Sequence, residues 1–298
     1  MSVKGYIMQL QPFSVNDGDG IRTTIFMAGC PLRCKWCSNP EGFTRAEKIG
    51  WYKRKCIGCG MCTEVCPENI GIDMNPEREK CIACGKCADI CPQNARMQLV
   101  SYVDADYVIS EIHKHRLFYS YSGGGVTFSG GEATGQPEFL DYLTENLYEM
   151  GYSLDIESSG YFDMDKVYRS LERMDLIFMD IKHMDPCKHL YYTGVDNAVI
   201  LENISGLKHF AAEKVIRIPV IGGVNDDDEN IRASAAFVHE NLPGAKMELL
   251  PYHRFGIVKY EALGIPYDHP DFFTPSPARM EEMREIVRSE GIETADFR

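Results

Sequence analysis

Short apolar or β-branched runs recur at 21–27, 124–129, 153–158, 176–181, 214–220 and 246–250, and each has the length and composition of a strand. Between them the apolar positions change to a helical period. Phe139, Leu140, Leu143, Leu147 and Met150 fall on one face, and Gly151 follows as a stop. Asp163 is placed to cap a helix running through Met174. Further helical patterns lie near 197–212, 226–241 and 277–290. The acidic run Asp226-Asp227-Asp228-Glu229 suits the first turn of its helix, where negative charge complements the helix dipole. Strand–helix alternation predicts a parallel sheet with crossover helices. Six units suit a partial barrel better than a closed eight-stranded one, although a flat doubly wound sheet fits the same pattern.

The stretch 51–99 breaks this rhythm. Cys56, Cys59, Cys62 and Cys66 precede Pro67, and Cys81, Cys84, Cys87 and Cys91 precede Pro92. Each run reads C-x2-C-x2-C-x3-C-P, the ligand spacing of two-cluster bacterial ferredoxins, in which the fourth cysteine serves the other cluster. Interleaved ligation is therefore expected: Cys56, Cys59, Cys62 and Cys91 around one 4Fe–4S cube, and Cys81, Cys84, Cys87 and Cys66 around the other. The chain divides into an α/β barrel over 1–50 and 100–298 and a ferredoxin-like insert over 51–99.

A third group, Cys30, Cys34 and Cys37, stands at C-x3-C-x2-C directly after the first strand. Three thiolates can hold three irons of a cube and leave the fourth iron open to a chelating substrate. A zinc knuckle or a disulfide loop is the alternative. Zinc sites usually close with a fourth Cys or His, and none lies in this loop. Cys187 stands outside all three motifs and is expected to be a semi-buried free thiol.

Charge narrows the partners. The chain carries 31 basic against 44 acidic residues, a net charge of −13, which argues against nucleic acid as a partner. Twelve cysteines at ligand spacings, with no signal-peptide pattern over Met1–Phe13, point to a reducing, cytoplasmic setting. No apolar run approaches the length of a membrane span. A monomer is expected.

In parallel α/β barrels the working residues gather where strands end. The unusual residues here fall there: Gly130, Gly131 and Glu132, then Glu157 and Ser158, then Asp180 and Lys182. Arg217 lies within the fifth predicted strand, and Tyr252 and His253 follow the sixth.

Three phrases carry a family resemblance: Asp17-Gly18-Asp19-Gly20-Ile21-Arg22, Gly29-Cys30-Pro31-Leu32-Arg33-Cys34-Lys35-Trp36-Cys37-Ser38-Asn39-Pro40-Glu41, and Ser129-Gly130-Gly131-Glu132. Together they resemble the radical S-adenosylmethionine (SAM) activases of glycyl radical enzymes, the group related to pyruvate formate-lyase activating enzyme. The resemblance implies a partial (β/α)6 barrel, three 4Fe–4S clusters and SAM. It implies that SAM chelates the open iron, that the reduced cluster breaks the sulfonium bond, and that a 5′-deoxyadenosyl radical takes hydrogen from a backbone glycine of the partner. It assigns Gly130, Gly131 and Glu132 to the SAM amino group, and places Trp36, Glu157, Ser158, Asp180, Lys182 and His253 around the cofactor. Lys182 and Arg217 are read either as ligand contacts or as charges in buried ion pairs. Asp17 is expected to meet the partner's glycine loop. The family's usual D-G-P-G becomes Asp17-Gly18-Asp19-Gly20, with Asp19 a solvated turn residue. A flavodoxin or ferredoxin-type reductant is implied. A self-contained radical SAM enzyme acting on a small molecule or peptide, and an electron-transfer protein, are the competing functions.

Overall fold

The computed structural model describes residues 3–267, 269 and 271–297. Among them nine strands form one sheet: β1 (Lys4–Ser14), β2 (Arg22–Met27), β3 (Lys48–Trp51), β4 (Arg96–Asp104), β5 (Gly125–Gly130), β6 (Ser153–Ser158), β7 (Leu176–Asp180), β8 (Glu213–Val220) and β9 (Lys246–Pro251). Their spatial order is β3-β4-β1-β2-β5-β6-β7-β8-β9. From β2 to β9 every pairing is parallel and the order follows the chain. A doubly wound sheet must reverse its order at a switch point. This one never does, so its crossover helices lie on one face and the other face encloses a lumen.

Side-chain alternation along the strands fixes which face is which. Ile25 and Met27, Val126 and Phe128, Leu154 and Ile156, Ile177 and Met179, and Ile216 and Ile218 point outward into one apolar core. The helix Pro137–Glu149 joins that core through Phe139, Leu140, Leu143 and Leu147, as its spacing predicts. Asp163 caps the helix Met164–Glu172 by accepting from Asp165 N. Asp227, within the acidic run, caps Asp228–Asn241. The alternate strand positions line the lumen and are largely polar: Arg22, Thr24, Thr127, Ser129, Asp155, Glu157, Arg217 and Glu248. Lower in the lumen Ala295 and Phe297 pack on Leu176, Phe178 and Val215.

Beyond β2 the sheet continues antiparallel through β1, β4 and β3. These strands, with the helices Ala105–His113 and Arg116–Ser122, go beyond the six predicted units. The insert leaves from β3 and returns on β4, with Trp51 paired to Arg96. No described helix is long and apolar enough to cross a membrane. Cys187 is exposed at the start of the helix Pro186–Thr193, not semi-buried as its isolation in the sequence suggested. Asp185 caps that helix by accepting from Cys187 N, which turns the cysteine to the solvent side of the first turn.

Candidate active site

The cysteine loop leaves β2 at the C-terminal edge of the parallel strands. Two neighbours fix its backbone: Arg33 N donates to Thr193 O at 2.6 Å and Lys35 N to Tyr192 O at 3.0 Å. Trp36 is buried among Ile221, Val224, Tyr252 and Phe272, so its indole anchors the loop to the ends of β8 and β9. Cys30, Cys34 and Cys37 each keep some accessible surface. Protein nevertheless crowds the sulfurs, and burial pushes the Cys30 and Cys34 thiols up to about 12 and Cys37 to about 11. Glu132 adds to the effect at Cys30. Thiols so placed become thiolates only against strong positive charge, which bound iron supplies. Among the described residues no three His, Cys, Asp or Glu side chains converge on a single ion.

The glycine pair makes room for neighbouring protein backbone. A Cβ on Gly130, whose φ is +116°, would lie 2.4 Å from Met27 N and O; one on Gly131 would lie 2.8 Å from Gly42 O. The absent side chains make room for protein backbone, pressing the β5 loop onto the cysteine loop. Glu132 N then donates to Gly29 O at 2.9 Å. The Glu132 carboxylate is buried and fully engaged. It accepts from Thr134 N and Oγ1, from Ser158 Oγ at 2.8 Å, and from Ser159 N and Oγ. Glu132 thus ties the ends of β5 and β6 together, and what it leaves for a ligand is its backbone.

Asp180 and Lys182 form an ion pair of 2.7 Å beside the cysteines. Burial opposes the Lys182 charge, but Asp180 and the Cys34 and Cys30 sulfurs outweigh it, so the ammonium is held above its usual range. His253 is exposed after β9 and stacks on Phe255, ring centroids 4.7 Å apart.

Deeper in the lumen Arg217 is shared between two carboxylates. It donates to Glu157 and, at 2.7 Å, to Glu248, and its guanidinium lies 3.5 Å over the Phe178 ring. Glu157 also accepts from Ser129. Burial raises the Glu157 carboxyl and Arg217 opposes the rise, while the Asp17 charge adds to it. Asp17 meets the lumen through the side chains of Thr24 and Thr127. Its carboxylate accepts from Thr24 Oγ1 at 2.6 Å and its carbonyl from Thr127 Oγ1 at 2.7 Å. Below it Arg22 and Asp155 lie 3.0 Å apart, both buried. Arg22 Nη2 donates to Val126 O and Ser153 O, and Asp155 Oδ2 is left without a hydrogen bond. Asp19 is exposed, as expected.

The insert contains two cavities. One of about 400 Å3 is lined by Cys62, Cys66, Cys81, Cys84 and Cys87. The other, about 370 Å3, is lined by Cys56, Cys59, Cys62 and Cys91. Each contains the interleaved set that the spacing predicts. The buried polar atoms fit cubes as occupants. Arg96 borders both cavities with Nε unpartnered, and Trp51 Nε1 is unpartnered beside the second. Ala83 N and Ala95 N donate to Cys81 and Cys91 Sγ at 3.4 and 3.2 Å. Cluster sulfides and thiolates accept such donors.

The strand-end residues thus gather on the cysteine loop, whereas Arg217, Glu157 and Asp17 belong to the lumen below it. Sequence reasoning did not single out Glu248, Asp155, Ser159 or Arg96. The first two occupy the inward period-two positions that Arg217 and Glu157 share, a signal available in the strands themselves.

The 4Fe-4S binding domain family matches twice, over 49–70 and 76–97. The chain is similar to the (2S)-3-sulfopropanediol dehydratase activating enzyme of Klebsiella oxytoca, 43% identical over 89% of this chain and 87% of that one. The choline trimethylamine-lyase activating enzyme of Oleidesulfovibrio alaskensis is 35% identical over 96% and 95%. The 4-hydroxyphenylacetate decarboxylase activating enzyme of Clostridioides difficile is 36% identical over 97% and 95%. Among solved structures, a radical SAM methyltransferase from Sphaerobacter thermophilus shares the fold at a TM-score of 0.57 and 14% identity, covering 97% of this chain and 76% of that one.

Proposed function

The chain belongs to the glycyl-radical-enzyme activating enzymes, and on that premise we propose which of its residues cleave SAM and which receive the partner's glycine loop. It is a radical SAM activase. Cys30, Cys34 and Cys37 would hold a 4Fe–4S cube, which would supply the electron for cleaving the sulfonium bond of SAM. One observation carries the assignment: the ends of β2, β5, β6 and β7 bring these cysteines, Glu132, Ser158, Asp180 and Lys182 to one edge of the lumen.

Each residue has a physical task. Lys182 offsets thiolate charge in a crowded site. Glu132 holds the β5 and β6 ends in register, so that the backbone of Gly130 to Glu132 presents a fixed wall to the SAM amino group. Arg217 keeps Glu157 oriented in the lumen, and Trp36 and Tyr252 back the cysteine loop. Asp17 offers a carboxylate to the N–H groups of an extended peptide, a charge-assisted contact. The two insert cavities each hold a further cube, making three per chain, in a reducing cytoplasmic setting.

The test is anaerobic incubation of the reconstituted chain with SAM, dithionite and purified candidate partners: a sulfopropanediol dehydratase, a choline trimethylamine-lyase and a 4-hydroxyphenylacetate decarboxylase. One of them should acquire a glycyl radical by electron paramagnetic resonance. Asp17→Ala should lose most of that radical while SAM cleavage without partner persists. Normal activation by Asp17→Ala would remove Asp17 from the partner site. An iron content that levels near four per chain rather than about twelve, at four per cube, would remove the insert clusters.

A further inference from the structure

The two halves of the insert repeat one another closely. Cys56, Cys59, Cys62 and Cys66 recur as Cys81, Cys84, Cys87 and Cys91, and a 3-10 turn precedes each set, Lys53–Lys55 and Asn75–Lys80. A helix follows in each, Met61–Glu64 and Lys86–Asp89, entered through a left-handed glycine. The backbones agree, and so do the exposed Ile57 and Ile82 (65% and 60%), but the surface charges do not.

In the second half Arg78 and Lys80 are engaged internally, and Lys86 alone is exposed with no described carboxylate within ion-pair distance. Arg78 donates to Ile49 O at 2.9 Å, Ala262 O at 2.7 Å and Asn75 Oδ1 at 2.8 Å. Lys80 pairs with Glu77 at 2.8 Å. In the first half Lys53, Arg54 and Lys55 are all exposed, and no described carboxylate lies within ion-pair distance of them. Lys55 only stacks over Tyr52, 5.0 Å from the ring centre. Three consecutive uncompensated cations are unusual on a chain of net charge −13. Beside them Ile57 is 65% exposed, and Cys59 is exposed at the rim of its cavity.

Position gives this face a direction. Lys48 at the start of β3 bonds Glu41 O at 2.5 Å, in the segment that follows Cys37. Moving along β3, Ile49 borders the first cavity and Trp51 the second. The cationic run directly precedes Cys56, and Ile57 beside it lines this second cavity.

We propose that Lys53, Arg54, Lys55 and Ile57 form the docking face for a small acidic one-electron carrier protein, which reduces the cube held by Cys56, Cys59, Cys62 and Cys91. The carrier loses one electron and the cube gains one; no bond or proton changes in this chain. Opposite charge steers the encounter, and the exposed Ile57 lets the surfaces close around Cys59. The interface is small and transient, as suits a redox partner. The proposal rests on the insert-cluster reading, which iron analysis of the parent protein tests separately.

The experiment compares Lys53→Glu/Arg54→Glu/Lys55→Glu with Lys80→Glu/Lys86→Glu in the reconstituted holoenzyme. The probe is a flavodoxin of net negative charge. Binding of its oxidised form is titrated at low and high salt, and its reduced form and dithionite are compared as electron sources. The first variant should bind about tenfold or more weakly at low salt and lose its salt dependence, with dithionite-driven SAM cleavage and iron content unchanged. The second variant should bind like the parent. Parent-like binding by the first variant, equal weakening in both, or an equal loss with dithionite would each overturn the proposal.

Discussion

In the barrel, Cys30, Cys34 and Cys37 are crowded by protein and face a buried lysine. In the insert, Cys59 and Cys84 are exposed at cavity rims, and eight cysteines line two cavities, with Cys62 lining both. The same side chain serves two regimes. The barrel loop offers three thiols in a crowded setting beside Lys182, and the insert offers four to each expected cube, with Cys59 and Cys84 at the surface. Under the proposed function this contrast gives chemistry to the barrel and electron supply to the insert.

The strongest way to break that assignment is to empty the barrel site. Cys30→Ala/Cys34→Ala/Cys37→Ala should reduce 5′-deoxyadenosine formation from SAM and dithionite to background, and lower iron by about four per chain. Product from this variant would move the chemistry into the insert.

The lumen below the site supports it through charge, which a second change probes. Arg217→Met leaves Glu157 and Glu248 facing each other without their shared cation. Removing one partner of a buried ionic group costs about 3–5 kcal/mol, read as a lower denaturation midpoint under anaerobic conditions. Glu157→Gln/Glu248→Gln added to the same variant should recover much of it. A small loss in the single variant would mean that the network is well solvated.

A third change sharpens the insert side. Arg96 is buried and borders both cavities. Arg96→Gln should lower both insert potentials, because an adjacent positive charge favours the reduced cube. At about 6 Å and an effective dielectric of about 20 the charge is worth roughly 3 kcal/mol, on the order of 100 mV for one electron. A redox titration followed by paramagnetic resonance should show the barrel cluster unmoved.

The smallest effect is in pH. Burial raises the Asp155 carboxyl to about 7, against the pull of Arg22, whose Nη2 hydrogens go to Val126 O and Ser153 O. Between the ordinary carboxylate value of about 4 and about 7 the native chain holds a proton that the unfolded chain has released. Stability therefore falls as pH rises through that window. Asp155→Asn should flatten this slope in denaturant titrations at several pH values; an unchanged slope would place the titration elsewhere.

Much of this architecture can be read from the residues. The six parallel strands stand out because each is bounded by turn signals and carries an apolar outward face. The cysteine sets stand out because ligand spacing is local. β1 and β4 do not, since their burial is mixed along their length and they read as ordinary polar-apolar chain. The roles of Glu132 and Arg217 needed the fold. Whether a carboxylate at a strand end meets a ligand or is consumed by Thr134, Ser158 and Ser159 depends on which strand lies next to it. The glycine pair signals close approach, but the sequence does not say to what; the neighbour is the backbone of Met27, Gly29 and Gly42.

Trp51 and Arg96 face each other across an antiparallel pair, so the chain leaves the sheet and re-enters it at adjacent points, about 5 Å apart. Topologically, everything between them is the loop of a hairpin. A two-residue Asn-Gly turn could close the same gap and keep the strand ladder, at the loss of the packing of Ile49 and Trp51 on Ile70 and Met74 and of the Arg78 bond to Ala262 O. The cysteine-rich segment is thus held by two adjacent strand ends and by the bond from Arg78 to Ala262 O, not by a flexible tether.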